Sequence, residues 1–162
     1  MKPKIVTIGV YGFDQEGFFN ALLNAKVDTF CDLRRRRGMR GSTYAFVNSS
    51  SLQKRLGELG IRYLHLKNLA PDHEIRAKQK QEDEKLGIAK RTRTTLGQTF
   101  IQAYEKECLS AFSTVEFIQQ LGQDSQVIGL FCVEREPEAC HRSLAAKRMA
   151  QDLELQVEHI RP

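Results

Sequence analysis

Hydrophobic residues fall into short continuous runs that alternate with longer stretches of helical spacing. The short runs at residues 4–10, 27–33, 61–66, 127–133 and 157–160 predict strands. The longer stretches that begin near residues 13, 50, 98, 113 and 137 predict helices. Strands that alternate with helices favour an α/β fold. We therefore expect a single three-layer domain over residues 1–162, with a mostly parallel sheet of about five strands.

Signals for the beginnings and ends of helices fit this alternation. Asp14 is a predicted N-cap residue, because its carboxylate can accept a hydrogen bond from a free backbone N–H of the first turn. Two capping boxes, Ser50-x-x-Gln53 and Ser113-x-x-Glu116, predict two further helix starts. Gly60 and Gly122 follow these two stretches and predict where the helices end.

Residues 71–97 interrupt the alternation, because nearly all of them are polar. Ile75 and Leu86 are among the few large apolar residues in this stretch. We expect a polar helical insertion that is exposed or lies over another part of the domain. A second basic group near its end could continue the arginine-rich patch of residues 34–40, but charge runs of this kind are usually solvated: Lys90, Arg91 and Arg93.

The composition excludes several classes of protein. The chain has 162 residues, of which 41% are hydrophobic and 28% charged, as in a soluble globular protein. No run approaches the roughly 18 apolar residues of a membrane span, and the first predicted strand begins too early for a signal peptide. The four cysteines are interpreted as free thiols or ligands rather than disulfides. We expect a cytoplasmic protein with no membrane partner, and the oligomeric state stays open.

Positive charge is concentrated in the first part of the chain. Residues 1–60 carry 10 basic and 5 acidic residues, whereas residues 108–162 carry 5 and 8. The loop predicted after the second strand suits phosphate binding, because it holds five guanidinium groups: Arg34, Arg35, Arg36, Arg37 and Arg40. Tyr44 follows and can stack on a base, so this loop is a candidate nucleic-acid-binding surface. The alternative is a solvated loop, or arginines paired with acids of the C-terminal third.

A second group of reactive residue types follows the fourth predicted strand. Ligands of parallel sheets usually bind beyond the carboxyl ends of the strands, where Asp32 and residues 132–142 are expected to lie. Pro137 suits the first position of the last helix. That start places three residues in the first helical turn: Cys140, His141 and Arg142. Free backbone N–H groups there can lower the pKa of a thiol and bind an anion.

Other interpretations of these residues stay open. Cys132 lies in an apolar strand and can be an ordinary core residue. A disulfide between Cys132 and Cys140 would be a redox device in the cytosol. Cys132, Cys140 and His141 are also possible metal ligands, with Cys31 as a fourth, but the Cys-x7-Cys-His spacing matches no familiar zinc motif. We therefore assign no metal ligand and no cofactor from the sequence, and whether the cysteines bind a metal or are redox active stays open.

Segments spread over the whole chain resemble one protein family. In order they are Thr7-Ile8-Gly9, Asp32-Leu33-Arg34, Tyr63-Leu64-His65-Leu66, Phe131-Cys132-Val133-Glu134, Pro137, Cys140-His141-Arg142 and His159-Ile160. The chain is similar to the bacterial and archaeal domain-of-unknown-function family 488, in the branch with an Arg-rich loop and a Cys-x-Glu…Cys-His-Arg signature. The resemblance implies a single α/β domain and a site at the signature residues. It implies no reaction.

The leading hypothesis is an anion- or phosphate-binding site at the carboxyl edge of the sheet, which could belong to a cysteine-dependent enzyme acting on a nucleotide or nucleic acid. Arg34 and Arg142 would bind the anion. Cys132 or Cys140 would be the nucleophile or redox group, and His141 would carry the proton. Two carboxylates would orient these groups: Glu134 and Asp32.

Two other functions are compatible with the same residues. The first is a non-catalytic nucleic-acid-binding module that grips phosphates with Arg34 to Arg40, and its binding would weaken steeply with salt. The second is a rhodanese-like sulfur carrier, suggested only by an Asp-x-Arg and a Cys at strand ends. Whether the protein is an enzyme stays open at this level.

Overall fold

The computed structural model describes residues 2–162, with every side chain among these except that of Arg91. Five parallel strands form one sheet: β1 (Lys4–Gly9), β2 (Thr29–Asp32), β3 (Arg62–His65), β4 (Val127–Cys132) and β5 (Val157–Ile160). Their order across the sheet is β3-β2-β4-β1-β5. The predicted α/β fold with a parallel sheet of about five strands is confirmed.

Six α-helices connect or flank the strands in the described part of the chain: α1 (Gln15–Asn24), α2 (Ser49–Glu58), α3 (His73–Leu86), α4 (Gln98–Tyr104), α5 (Thr114–Leu121) and α6 (His141–Leu153). A π-helical segment, Glu105–Leu109, continues α4. Short 3-10 turns lie at Ala45–Val47, Lys67–Leu69, Lys90–Thr92 and Pro137–Ala139. None of the described helices is long and apolar enough to cross a membrane.

Both faces of the sheet are covered, which gives three layers. On one face, β-strand side chains pack against buried residues of α1 and α2, including Phe18 and Leu52. On the other face they pack against α4, α5 and α6, including Tyr104, Phe117 and Met149. Strands buried on both faces need apolar residues at nearly every position, which explains the continuous runs in the sequence.

The strand register brings the functional segments to one edge of the sheet. Gly9 at the end of β1 pairs with Cys132 at the end of β4. Asp32 at the end of β2 pairs with His65 at the end of β3. All strands are parallel, so the loops that follow them leave from the same side. Asp32 and the segment that begins at Cys132 therefore lie at the same carboxyl edge of the sheet, as expected.

Helix caps agree with the sequence at two positions and differ at a third. The Asp14 side chain accepts from the Gly17 N–H at 2.7 Å, and the Ser113 hydroxyl accepts from the Glu116 N–H at 3.3 Å. The capping box predicted at Ser50 is wrong, because α2 already begins at Ser49, with Asn48 as its N-cap. The Asn48 side chain instead accepts from the Met39 N–H at 2.6 Å. That contact joins the cap to the arginine-rich loop, which local spacing cannot reveal.

The start of the last helix also differs from the prediction. Pro137 begins a separate 3-10 turn, and α6 begins four residues later at His141. Cys140 is the N-cap of α6, with extended backbone (φ −134°, ψ 143°). Cys140 therefore lies outside the first helical turn, whereas His141 and Arg142 lie within it. Pro137 correctly predicts the start of a helical turn, but it does not show that this turn ends before α6 begins.

The polar insertion contains α3, whose inward side is only partly apolar. Ile75, Gln79 and Asp83 recur every four residues and are buried. Gln79 donates to the Asp83 carboxylate at 2.8 Å and accepts from the Gly97 N–H at 2.8 Å. The buried polar groups of this helix thus have partners. Of the two placements expected for the insertion, exposed or packed over another part of the domain, α3 has the second.

Candidate functional site

Three buried side chains at the carboxyl edge form what we call the thiol–imidazole cluster: Cys132, Cys140 and His141. β4 supplies the first, and the start of α6 supplies the other two. The His141 ring is fixed by a 2.8 Å hydrogen bond between its Nε2 and the Leu33 carbonyl, which follows β2. The cluster therefore lies between β4, α6 and the first residue of the loop after β2.

Both sulfur atoms face one nitrogen of the imidazole. The Cys132 Sγ and the Cys140 Sγ each lie 3.9 Å from His141 Nδ1, and all three atoms lie within 4.8 Å of one another. The Leu33 carbonyl can only accept a hydrogen bond, so Nε2 carries the hydrogen in its contact with this group. In the neutral ring Nδ1 is then an acceptor that points towards the two thiols. All four cysteines are free, so the two sulfurs of the cluster are not joined in a disulfide.

Burial dominates the chemistry of the cluster. Only 5% of Cys132, 1% of Cys140 and 6% of His141 is exposed. Burial, with Cys132 and Glu134 nearby, raises the pKa of the Cys140 thiol well above its ordinary value. The low thiol pKa that the sequence suggests for a helix start is therefore absent at Cys140. Burial alone would lower the pKa of His141, but Cys140, Glu134 and the Leu33 carbonyl together raise it.

Glu134 places an ionised carboxylate beside the cluster. Its Oε1 accepts from Arg93 Nη2 at 3.0 Å and lies 3.8 Å from Lys90 Nζ. Burial would raise the pKa of this carboxyl, but Lys90 and Arg93, and then Cys140, lower it below its ordinary value. Its other oxygen, Oε2, is buried and has no hydrogen-bond partner among the described residues. A buried carboxylate oxygen without a partner is unusual in a folded protein.

Arg93 connects the polar insertion to the site, which sequence reasoning missed. It donates to the Asp83 carboxylate of α3 at 2.6 Å and to the Ala139 carbonyl at 3.0 Å, besides its contact with Glu134. Only 8% of Arg93 is exposed, so it is not the solvated charge that a basic run usually indicates. The sequence signal for such a partner was the spacing of Gln79 and Asp83, which lie four and eight residues after Ile75 and therefore on the same side of the helix. The side chain of Arg91 lies outside the described part of the chain.

Arg142 holds the backbone that leads into the cluster. It is fully buried, and its Nη1 donates to the Glu134 carbonyl at 2.5 Å while its Nη2 donates to the Arg135 carbonyl at 3.3 Å. A Cβ atom on Gly9 would lie only 1.9 Å from the same Glu134 carbonyl oxygen. The loop after β4 therefore packs directly against the end of β1, and Arg142 secures it there rather than facing solvent.

Arg34 has a comparable anchoring role. Its guanidinium forms a bidentate ion pair with the Asp32 carboxylate, with hydrogen bonds of 2.9 and 2.8 Å. It also donates to the Val47 carbonyl at 2.9 Å. Its Cζ lies 4.8 Å from the centre of the Phe131 ring. Asp32 is 0% and Arg34 4% exposed. The pair that the sequence suggested between Asp32 and an arginine is present. The contacts of Arg34 with Asp32 and with Val47 together hold the two ends of the arginine-rich loop.

The other four arginines of this loop form what we call the arginine surface: Arg35, Arg36, Arg37 and Arg40. Arg37 is half-buried and the other three are exposed. Arg35 donates to the Pro71 carbonyl at 3.1 Å, and Arg37 donates to the Tyr63 hydroxyl at 3.3 Å. Within the described chain, no carboxylate forms an ion pair with any of the four. Pairing with acids of the C-terminal third therefore does not account for them.

Tyr44 is placed beside this surface but is already packed against neighbours. Its hydroxyl accepts from the Gly12 N–H at 3.3 Å, and its ring lies 5.2 Å from that of Tyr11 and 6.3 Å from that of Phe46. Tyr44 therefore joins the loop after β2 to the loop after β1. Cys31, considered above as a fourth metal ligand, is not part of the thiol–imidazole cluster.

Comparison with known proteins identifies one family. A family model described as a domain of unknown function, DUF488, matches residues 14–149, which is most of the chain. The matched region includes the arginine surface, the polar insertion and the thiol–imidazole cluster. No curated protein matches the chain, and no solved structure does.

Proposed function

The chain belongs to the DUF488 family, and from this premise we propose that the protein binds a phosphate-bearing ligand, with nucleic acid as the favoured class, on the arginine surface. The family description names no activity, so the proposal rests on the geometry of the loop after β2. The observation that carries it is the set of four arginines that have no carboxylate partner in the described chain, on a loop anchored at the carboxyl edge.

Arginine is suited to this role for physical reasons. Its guanidinium is charged at any physiological pH and can donate two parallel hydrogen bonds to a phosphate. Cations that have no carboxylate partner cost little to bring to an anion, because no existing ion pair has to break. The buried Asp32–Arg34 pair fixes the base of the loop, which reduces the entropy lost when a ligand binds.

A polymer fits the surface better than a single small anion. The four arginines follow one another along an exposed loop, and their observed contacts spread from Pro71 to Tyr63. Tyr44 and Phe46 are half-buried against other rings, so the geometry supports phosphate contacts more than reading of bases. Contacts of this kind bind nucleic acid with little sequence preference.

Binding to a fluorescently labelled single-stranded oligonucleotide at low salt tests this proposal. The test variant replaces Arg35, Arg36, Arg37 and Arg40 with Ala. The matched control makes the same change in net charge at four exposed lysines elsewhere: Lys2, Lys54, Lys106 and Lys147.

We expect the arginine variant to bind at least about tenfold more weakly and the lysine variant about as tightly as the wild type, because only the former removes phosphate contacts. Equal losses in the two variants, or no loss, would overturn the proposal. An unlabelled mononucleotide serves as competitor, and efficient competition by it would identify a small ligand rather than nucleic acid.

A cysteine-dependent reaction is a second candidate, favoured by the 3.9 Å separations between both thiols and His141 Nδ1. Cys132 or Cys140 would be the nucleophile or redox group and His141 the proton carrier, with Glu134 and Asp32 as orienting carboxylates. The geometry supports it less, because both sulfurs are buried and Arg34 and Arg142 already bind protein groups. Alkylation of Cys132 or Cys140 in the native protein faster than that of free cysteine would support this candidate, and slower alkylation would count against it.

A further inference from the structure

The thiol–imidazole cluster has the donor set and shape of a metal site. We propose that it binds one Zn²⁺ ion through the Cys132 Sγ, the Cys140 Sγ and the His141 Nδ1, with the Glu134 Oε2 as fourth ligand. This site is separate from the arginine surface, so it does not depend on the proposed function. It excludes the cysteine-dependent reaction, because thiolates held by zinc in a closed site are not free nucleophiles.

The separations between the donor atoms are close to those of a zinc site. In a tetrahedral site with Zn–S near 2.3 Å and Zn–N near 2.0 Å, the sulfur and nitrogen atoms lie about 3.5 Å apart. Both Sγ–Nδ1 distances here are 3.9 Å, and all three donor atoms lie within 4.8 Å of one another. The Sγ–Nδ1 pairs have to contract by roughly 0.4 Å and the two sulfurs, which lie up to 4.8 Å apart, by roughly 1 Å; rotations of the cysteine side chains can supply both changes.

The imidazole is oriented as a zinc-bound histidine usually is. Such a ring binds the metal through one nitrogen and donates its other N–H to a carboxylate or backbone carbonyl. His141 Nε2 lies 2.8 Å from the Leu33 carbonyl, which leaves Nδ1 as the available lone pair. Tyr104 packs edge-on against the same ring at 5.5 Å and limits its rotation.

The unpartnered oxygen of Glu134 is an independent observation that points to a cation. Glu134 is 95% buried, and its Oε2 has no hydrogen-bond partner among the described residues, although Oε1 is paired with Arg93. Carboxylate oxygen is an accepted zinc ligand, and the Glu134 side chain, which lies outside the group of three donor atoms, has to turn towards the ion to provide it. Zn²⁺ with two thiolates and one carboxylate carries a single negative charge, and the guanidinium of Arg93 offsets it.

The backbone around the ligands is held in place from outside the cluster. Arg93 donates to the Ala139 carbonyl, directly before Cys140, and Arg142 donates to the Glu134 carbonyl. A fixed backbone reduces the reorganisation that metal binding requires. Because all four proposed ligands are buried, the site is closed, which is typical of structural rather than catalytic zinc.

Proton release balances the binding step. Each cysteine binds as the thiolate, so a thiol proton passes to water as its sulfur forms a bond to zinc. His141 binds through the neutral ring, and Glu134 binds as the carboxylate. No electron is transferred. The ion would tie the loop after β4 to the start of α6 and, through His141 and Leu33, to the base of the arginine-rich loop.

Titration of the chelator-treated, fully reduced protein with Co²⁺ tests the site directly. Cobalt bound by thiolates in a tetrahedral site gives a sulfur-to-metal charge-transfer band in the near ultraviolet and intense visible bands. We expect both bands, saturation at one Co²⁺ per chain, and their loss when one equivalent of Zn²⁺ is added. Absence of the charge-transfer band in protein that has four reduced thiols would overturn the proposal.

Variants assign the ligands. Cys132→Ser and Cys140→Ser should each remove most of the charge-transfer intensity. The controls Cys31→Ser and Cys108→Ser change buried thiols outside the cluster and should leave the band unchanged. Glu134→Gln should bind Co²⁺ at least about tenfold more weakly, and unchanged binding would overturn the assignment of the fourth ligand.

Zinc protection of the wild type gives the same answer without relying on folded variants. The thiols are alkylated slowly in the native protein and located by mass spectrometry of peptides, with and without Zn²⁺. We expect Zn²⁺ to slow the modification of Cys132 and Cys140 and to leave Cys31 and Cys108 unaffected. Equal rates with and without Zn²⁺ at Cys132 and Cys140 would contradict the proposal.

Discussion

Buried charges at the carboxyl edge are stable only because each has a specific partner. The Asp32 carboxylate receives two hydrogen bonds from the Arg34 side chain and one from the Tyr63 hydroxyl at 2.8 Å. Loss of one member of such a pair leaves the other charge buried without compensation, which is far more costly than loss of an exposed pair.

Replacing Asp32 with Ala is therefore expected to lower the free energy of unfolding by about 3–5 kcal/mol. Replacing Arg55 with Ala removes an exposed pair with Glu58 and is expected to cost less than about 1 kcal/mol. Urea denaturation of both variants measures the two losses. Similar losses would show that the Asp32–Arg34 pair is not effectively buried.

The Cys31 thiol gives a prediction for alkaline pH. Burial raises its pKa from 9.0 to about 12, with Arg62 opposing and Asp32 adding to the effect. A folded-state pKa above the unfolded value contributes stability that is fully present below pH 9 and is lost as pH rises towards 12.

The free energy of unfolding of the wild type should therefore fall by roughly 1 kcal/mol per pH unit above pH 9 from this group. Cys31→Ala should show a shallower decline between pH 9 and 10.5, whatever its stability at neutral pH. Denaturation curves at several pH values give the two slopes. Parallel slopes would mean that Cys31 does not ionise differently in the two states.

At the scale of elements, the close approach of β1 and the loop after β4 requires Gly9. Any Cβ at this position collides with the Glu134 carbonyl, and the Arg142 Nη1 lies 2.9 Å from it. Gly9→Ala should cost about 1–3 kcal/mol as overpacking displaces the loop. The control Gly57→Ala lies in α2 with no neighbour within 4 Å and should stabilise the protein by about 0.5–1 kcal/mol. Chemical denaturation measures the free energy of unfolding of both variants. An unchanged value for Gly9→Ala would show that the loop after β4 is free to move.

Local patterns predicted the elements well where the determinants are local. The continuous apolar run before Cys132 predicts β4, and the side chains of Asp14 and Ser113 act as the caps that their sequences indicate. Tertiary contacts decide the failures. Asn48 occupies the N-cap position of α2, but its side chain accepts from Met39 in the loop after β2 and not from the helix. Pro137 begins a turn that ends before α6.

At the scale of the whole molecule, the sequence predicted which segments meet at the carboxyl edge better than it predicted the contacts of their side chains. The strand ends bring Cys132 and the segment after Pro137 to one edge, as parallel topology requires. Composition alone cannot show that Arg34 and Arg142 are buried anchors, because that depends on carbonyls and a carboxylate from other segments. Arg93 was missed for the same reason, since its partners come from α3 and from the loop after β4.

The molecule thus has an exposed cationic loop supported by a buried polar base. Asp32 and Arg34 fix the loop at β2, and the His141–Leu33 contact connects that base to the thiol–imidazole cluster. In the proposed function, the exposed loop binds phosphate and the buried base holds the loop in place. The central claim is the first of these, that the four arginines of the arginine surface bind phosphates.

The salt dependence of oligonucleotide binding tests this claim most directly. Each phosphate neutralised on a single strand contributes a slope of about −0.7 to the plot of log affinity against log salt, so four arginines predict a slope of about −3. The variant with all four arginines replaced by Ala should have a slope near zero, and the four-lysine control should keep the wild-type slope. A wild-type slope near zero, or the same slope in the arginine variant as in the wild type, would contradict the account.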